Sequence, residues 1–113
     1  MLSVEALREF GADVDSALIR CMNNEAFYLR LVRMAMDDPS VAALGNALEE
    51  GNLEKAFDEA HKLKGIMGNL SLTPVFEPVS ELTELLRNRT PGDYKTLYST
   101  VLTKTEELKK LMI

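Results

Sequence analysis

The chain has 113 residues, of which 46% are hydrophobic and 27% are charged, and its net charge is −5 at pH 7. This length is enough to bury one hydrophobic core, so we expect a single domain over residues 1–113. The acidic balance argues against nucleic-acid binding, which needs clustered Lys and Arg, and no apolar run approaches the roughly 20 residues that span a bilayer.

The N-terminal part of the chain predicts short helices. Ser3 can cap a first helix that ends at Gly11, and Asp13 can cap a second. The pair Asn23-Asn24 either interrupts this second helix or starts a third. The opening residues lack the basic and apolar segments of a signal peptide, so we expect a cytoplasmic protein.

Longer helices are predicted in the rest of the chain. Apolar side chains recur there at i, i+3, i+4 and i+7, without the alternation of a strand. The predicted helix starts are Asp38-Pro39, Asn52 after Gly51, Thr73-Pro74 and Thr90-Pro91. The pattern predicts an all-α protein, an up-down four-helix bundle with additional short N-terminal helices.

Pro78 is compatible with two descriptions of the helix that follows Thr73-Pro74. If the helix begins at Thr73, Pro78 removes one backbone hydrogen bond and bends the first turns. If the regular helix begins later, Pro78 is its first residue. The sequence leaves both descriptions open.

The segment 26–36 is apolar on more than one face. Part of it must pack in the core. The remainder, with Met34 or Met36, is expected either to form an apolar patch beside His61 for a partner helix or to be core or a dimer contact.

His61, the single histidine, lies on a predicted helix with two glycines on the same edge. Gly65 and Gly68 follow it at i+4 and i+7, and Lys64 lies between this edge and the apolar stripe. Two interior glycines cost the helix roughly 2 kcal/mol relative to alanine. In return, the missing side chains let a bulky group come close to the ring.

Imidazole at this edge can act as a nucleophile. Part of it is neutral at pH 7, so one nitrogen can attack phosphorus, while Lys64 offers a cation to phosphate oxygens. The other nitrogen is then expected to need an acceptor that fixes its tautomer. Alternatively, His61 is an ordinary surface or half-buried residue and Gly65 serves close helix packing.

A lone Cys21 and one histidine provide neither a metal-ligand cluster nor a second catalytic group, so a hydrolytic or metal-dependent enzyme is poorly supported.

The segment 60–72, AHKLKGIMGNLSL, resembles the histidine-containing phosphotransfer (HPt) domain of two-component phosphorelays. Ser71 departs from the family pattern, because it stands where a glycine is usual, and we expect this change to affect the helix terminus and the turn rather than phosphotransfer. The residues that match the family pattern are His61, Leu63, Lys64, Gly65 and Leu70.

The resemblance implies a role for each residue around the histidine. His61 would carry the phosphoryl group on Nε2, Lys64 would neutralise its charge, and Gly65 would make room for the aspartyl phosphate site. A polar residue on the following helix is expected near the ring. Without a gap Thr83 falls nearest to that position, and the other candidates are Glu81 and Glu84.

The resemblance also implies a phosphocarrier rather than an enzyme. The chain has no glycine-rich nucleotide loop and no ATP-binding kinase domain. The implied partners are response-regulator receiver domains, a hybrid sensor histidine kinase, or both, and the Mg²⁺ for transfer would belong to the receiver. We expect a monomer without a cofactor of its own, of the kind found in bacteria. The alternative is a non-catalytic helical interaction module whose histidine is structural or vestigial.

Overall fold

The computed structural model describes residues 1–112, all of whose regular structure is helical; Ile113, the last residue of the predicted domain, lies outside the described residues. Over residues 1–112 the chain forms seven α-helices and no strand, so the all-α prediction is confirmed. The helices are α1 (Val4–Phe10), α2 (Val14–Arg20), α3 (Glu25–Met36), α4 (Ser40–Glu49), α5 (Leu53–Asn69), α6 (Thr73–Arg87) and α7 (Tyr94–Lys110).

Helices α4 to α7 form the predicted four-helix bundle. Each packs against the next along the chain, and α7 returns to pack against α4. Residues 50–52, 70–72 and 88–93 connect them, and such short connections make neighbouring helices antiparallel. The additional N-terminal helices lie outside this ring, where α1 contacts α7 and α2 contacts α3.

The core consists of one apolar stripe from each bundle helix. Fully buried leucines and valines fill it, and burial of each such side chain contributes about 1.5–3 kcal/mol. Helix α3 adds the buried Tyr28, whose hydroxyl donates a hydrogen bond to the Leu70 carbonyl at 2.8 Å. Burial raises the pKa of Tyr28 to about 12, so the hydroxyl keeps its proton and α3 stays tied to the end of α5. Among residues 1–112 no helix is both long and apolar enough to cross a membrane.

Most predicted helix starts are confirmed, and one is wrong. Asp13 and Asn52 accept a backbone N–H at the starts of α2 and α5, as predicted. Asn24 does the same for α3, which decides that Asn23-Asn24 starts a third helix. Helix α4 begins at Ser40, one residue after the predicted Pro39, and the Ser40 N–H donates to Asp38 at 2.8 Å. Helix α7, however, begins at Tyr94 and is capped by Asp93, which accepts the Thr96 N–H at 3.0 Å. Thr90 and Pro91 lie in the connection, because Asp93 stands directly before the apolar stripe and takes the capping position.

The structure decides between the two descriptions of Pro78. Helix α6 begins at Thr73, has Pro74 in its first turn and contains Pro78 in its interior. Pro78 has no N–H, so the Pro74 carbonyl receives no hydrogen bond from it.

Candidate functional site

Helix α5 presents His61 to solvent near its middle. Asn52 caps the start of the helix by accepting the Lys55 N–H at 3.1 Å. His61 is exposed and lies next to the stripe that fixes the helix in the core, as the spacing predicts. The buried residues of that stripe are Ala56, Ala60, Leu63 and Met67.

A shallow pocket brings together the site residues that the sequence predicts on α5. His61, Lys64, Gly65 and Gly68 all line it. Its other lining residues, which the sequence analysis missed, are Asn69 and Phe76. Asn69 lies one turn after Gly65 on α5, so helical periodicity could have placed it in the site. Phe76 comes from α6, and the periodicity of α5 gives no information about it.

The two glycines of the pocket have different surroundings. A Cβ atom added at Gly65 would meet nothing within 4 Å, so the space beside it is open. A Cβ atom added at Gly68 would lie 3.0 Å from Cε1 and 3.3 Å from Cδ1 of Phe76. Gly68 therefore serves the close packing of α5 on α6, and open access to the pocket rests on Gly65.

The imidazole of His61 is held by an aromatic contact. Its ring stacks on that of Phe57, with the centroids 5.5 Å apart and the planes inclined by 12°. Within the described part of the chain the imidazole forms no hydrogen bond to another residue. Sequence periodicity assigns Phe57 to the core stripe, but the residue is half-buried and also belongs to the site.

Three polar residues of α6 were candidates for the position near the ring, and the structure separates them. Thr83 is fully buried, and its hydroxyl donates to the Val79 carbonyl at 2.7 Å, so it faces the core and not the pocket. Glu81 is exposed and does not line the pocket.

Glu84 is the candidate that interacts with the site through its charge. Arg87, which donates from Nε to Glu84 Oε2 at 2.9 Å, holds the pKa of the Glu84 carboxyl below its usual range. Lys64 and His61 add smaller contributions in the same direction.

Ser71 occupies a backbone position that favours glycine. Its φ of 53° lies in the left-handed region, directly after α5. Arg20 supports this corner by donating to the carbonyls of Asn69 at 2.9 Å and Gly68 at 3.2 Å and to the Ser71 hydroxyl at 2.5 Å. The Asp13 N–H donates to the Ser71 carbonyl at 2.9 Å. The departure from the family pattern therefore affects the helix terminus and its turn.

The apolar segment of α3 contributes one exposed methionine beside the pocket. Met34 is 60% exposed, whereas Met36 is buried and is excluded from any such patch. A groove between α3 and α5 adjoins the histidine pocket through Asn69, which lines both. The apolar residues of this groove are Leu31, Met34, Ala35, Ile66 and Leu70.

Fold and site together define a helical bundle that displays one histidine, beside a lysine and an open glycine, on its central helix. The family model for the Hpt domain matches residues 28–111, and the chain belongs to this family. Hpt domains are phosphocarrier modules rather than kinases; they take part in histidine phosphotransfer in two-component phosphorelays, with receiver domains and kinases as partners. The match leaves out α1 and α2. No curated protein and no solved structure matches the chain.

Replacing Arg20 with alanine is expected to lower the free energy of unfolding by about 1 kcal/mol, because the Asn69 carbonyl loses its side-chain donor and the Gly68 carbonyl keeps only the Ser71 N–H. Ser71→Gly is expected to stabilise the Arg20→Ala variant more than the wild type, because in the variant it relieves the left-handed backbone without losing a hydrogen bond. Urea denaturation of the wild type, both single variants and the double variant measures this. Arg33→Ala, an exposed arginine on α3, is the control. Equal stability of Arg20→Ala and wild type would show that this cap contributes nothing.

Proposed function

We propose that this Hpt domain is a phosphorelay intermediate. The phosphoryl group passes from a receiver-domain aspartate to His61 and then to the aspartate of a second receiver. The observation that carries the proposal is the arrangement of one pocket: an exposed imidazole, Lys64 on its rim and open space at Gly65.

The transfer step is a nucleophilic displacement at phosphorus. The lone pair of His61 Nε2 attacks the phosphorus, a P–N bond forms, and the P–O bond to the donor aspartate breaks. The carboxylate leaves with that electron pair, and Nδ1 keeps the ring proton. Attack by the carboxylate of the second receiver reverses these changes and returns a neutral imidazole. The Mg²⁺ would belong to the receivers, so the step needs one copy of this chain and no cofactor in it.

Lys64 is suited to meet the phosphoryl charge. It lies one turn after His61 and is half-buried on the rim of the pocket. Among residues 1–112 no carboxylate forms an ion pair with it. Its ammonium is therefore available to the oxygens of a phosphoryl group.

Gly65 is suited to the approach of a receiver. A folded partner must bring its aspartyl phosphate to the imidazole, and a side chain at i+4 would stand in that path. The alternative function, an interaction module without covalent chemistry, would be favoured by a buried histidine bonded within the protein. His61 is exposed and forms no such bond in the described residues.

Replacing His61 with glutamine is expected to abolish phosphorylation, because the amide has no comparable nucleophilic nitrogen. Incubation with phosphorylated receivers should yield acid-labile, base-stable phosphate on the wild type and none on His61→Gln. Circular dichroism of the variant checks that the bundle is intact. If no cognate receiver transfers phosphate to the wild type, the proposed function is wrong.

Lys64→Ala is expected to slow transfer about 10- to 100-fold, since it removes one charge-assisted contact to the phosphoryl oxygens. The matched control is Lys62→Ala. Lys62 lies on the same helix, pairs with Glu59 at 3.9 Å and does not line the pocket. Rapid-quench measurement of the transfer rate from one receiver compares the two variants. Equal rates for both would remove Lys64 from the mechanism.

Alanine at the two glycines is expected to have opposite effects on stability. Gly65→Ala should raise the free energy of unfolding by up to about 1 kcal/mol, because the added methyl group meets open space within a helix. The same methyl group should slow transfer from a receiver. Gly68→Ala should be destabilised, because its Cβ meets Phe76. Denaturant unfolding and transfer rates of both variants test this; a Gly65→Ala variant with the wild-type rate would contradict the role in access.

A further inference from the structure

Phe57 is the one residue that contacts the imidazole ring face to face in the described part of the chain. The two rings lie one turn apart on α5, and their centroid distance of 5.5 Å falls in the range of favourable aromatic pairs. With planes inclined by only 12°, the two rings stack in a near-parallel, offset arrangement. His61 is exposed and lines the pocket, so its ring stays accessible from solvent.

Phe57 is itself held from α6. The guanidinium carbon of Arg87 lies 5.0 Å from the centroid of the Phe57 ring, within the distance of a cation–π contact. The same guanidinium donates to Glu84 at 2.9 Å, so it contacts Glu84 and the Phe57 ring at once. Glu84, Arg87 and Phe57 thus form a continuous chain of contacts that ends at the imidazole.

We propose that Phe57 is a positioning residue for the phosphotransfer reaction and that Arg87, oriented by Glu84, keeps Phe57 in place. The stacking contact sets the plane of the His61 ring. This inference rests on the proposed function, and it assigns to Phe57, Arg87 and Glu84 the orientation of the attacking imidazole.

The plane of the ring matters because of where the reacting electrons lie. The lone pair of an imidazole nitrogen lies in the ring plane, and displacement at phosphorus needs that lone pair in line with the bond that breaks. Rotation of a histidine ring about its second side-chain torsion is only weakly restricted by the side chain itself. Because no hydrogen bond from the described residues fixes the ring, the stack on Phe57 is what limits this rotation. A ring held in the correct plane reaches the reactive geometry more often.

A contact with the ring face suits a group that must react at its edge. The acceptor that the sequence leads us to expect for the second ring nitrogen is absent among the described residues, and the stack on Phe57 supports the ring instead. Gly65, on the edge that the partner approaches, leaves the opposite side open. The residues that support the imidazole, on α5 and α6, therefore lie apart from the open space at Gly65 through which a partner would approach.

The test replaces Phe57 with leucine, which keeps an apolar side chain and removes the aromatic face. We expect transfer from a phosphorylated receiver to slow about tenfold, with the affinity for the unphosphorylated receiver unchanged. Phe57→Tyr, which keeps the ring, should restore the rate. Arg87→Gln should slow transfer less than Phe57→Leu. Phe10→Leu, a half-buried phenylalanine on α1 outside the site, is the matched control.

Nuclear magnetic resonance of the unphosphorylated protein provides a readout that does not depend on transfer. The Hδ2 and Hε1 signals of His61 should carry ring-current shifts that disappear in Phe57→Leu and remain in Phe57→Tyr and Phe10→Leu. Signals that do not change in Phe57→Leu, or a leucine variant with the wild-type transfer rate, would overturn the proposal. If the wild type itself accepts no phosphate, the relay function fails, while the ring-current shifts still decide whether Phe57 holds the ring.

Discussion

The packing of α5 on α6 is the constraint on which the site depends. At Gly68 the two helices are so close that a Cβ atom would lie 3.0 Å from Phe76. Phe57 precedes Gly68 by eleven residues on α5, and Arg87 follows Phe76 by eleven residues on α6. In two antiparallel helices, equal spacing in opposite directions brings the second pair of residues together when the first pair is in contact. His61 lies between these two contacts. The close approach at one end therefore places Arg87 over Phe57 at the other and sets the supports of the imidazole.

The corner after α5 depends on a part of the chain outside the matched family region. Helix α2 ends at Arg20, which gives the Asn69 carbonyl at the end of α5 a donor and adds a second donor to the Gly68 carbonyl, which also accepts the Ser71 N–H at 3.1 Å. A residue with a side chain in a left-handed conformation is costly, but the Ser71 hydroxyl also bonds Arg20. Arg20 at the end of α2 thus stabilises the serine that stands at position 71 in place of the usual glycine.

Sequence periodicity predicted the α5 side of the site and failed on the α6 side for a clear reason. The positions of His61, Lys64 and Gly65 relative to one another follow from the geometry of a single helix, which is the same in any protein. The contacts of Phe76 and Arg87 follow from the register between two helices, and that register is set by packing. Ungapped comparison placed Thr83 at the correct level along α6, but on the face that points into the core.

Two further differences show how local signals compete. Phe57 belongs to the apolar stripe by spacing, yet it lies at the stripe's edge, where an aromatic ring can be half-buried and still contact the site. Thr90-Pro91 has the form of a helix start, but Asp93 is a better cap and lies closer to the apolar residues of α7. The spatial neighbours of Phe57 decided that it contacts the site, and the nearby Asp93 decided where α7 begins.

The electrostatics of the pocket suit the proposed function, in which His61 would hold a phosphoryl group only briefly. Lys64 is available to a phosphoryl group, but the pocket is open to solvent, where water and salt weaken such attraction. Glu84 lies near enough to interact with both Lys64 and His61, and its negative charge opposes that of a phosphoryl group. A deeply buried cluster of cations would bind the phosphoryl group tightly and make its onward transfer slow, since strong binding of a ground state raises the barrier that follows. Under the proposed function, one half-buried cation beside a carboxylate would keep phosphohistidine high enough in free energy for the phosphoryl group to be both accepted and passed on.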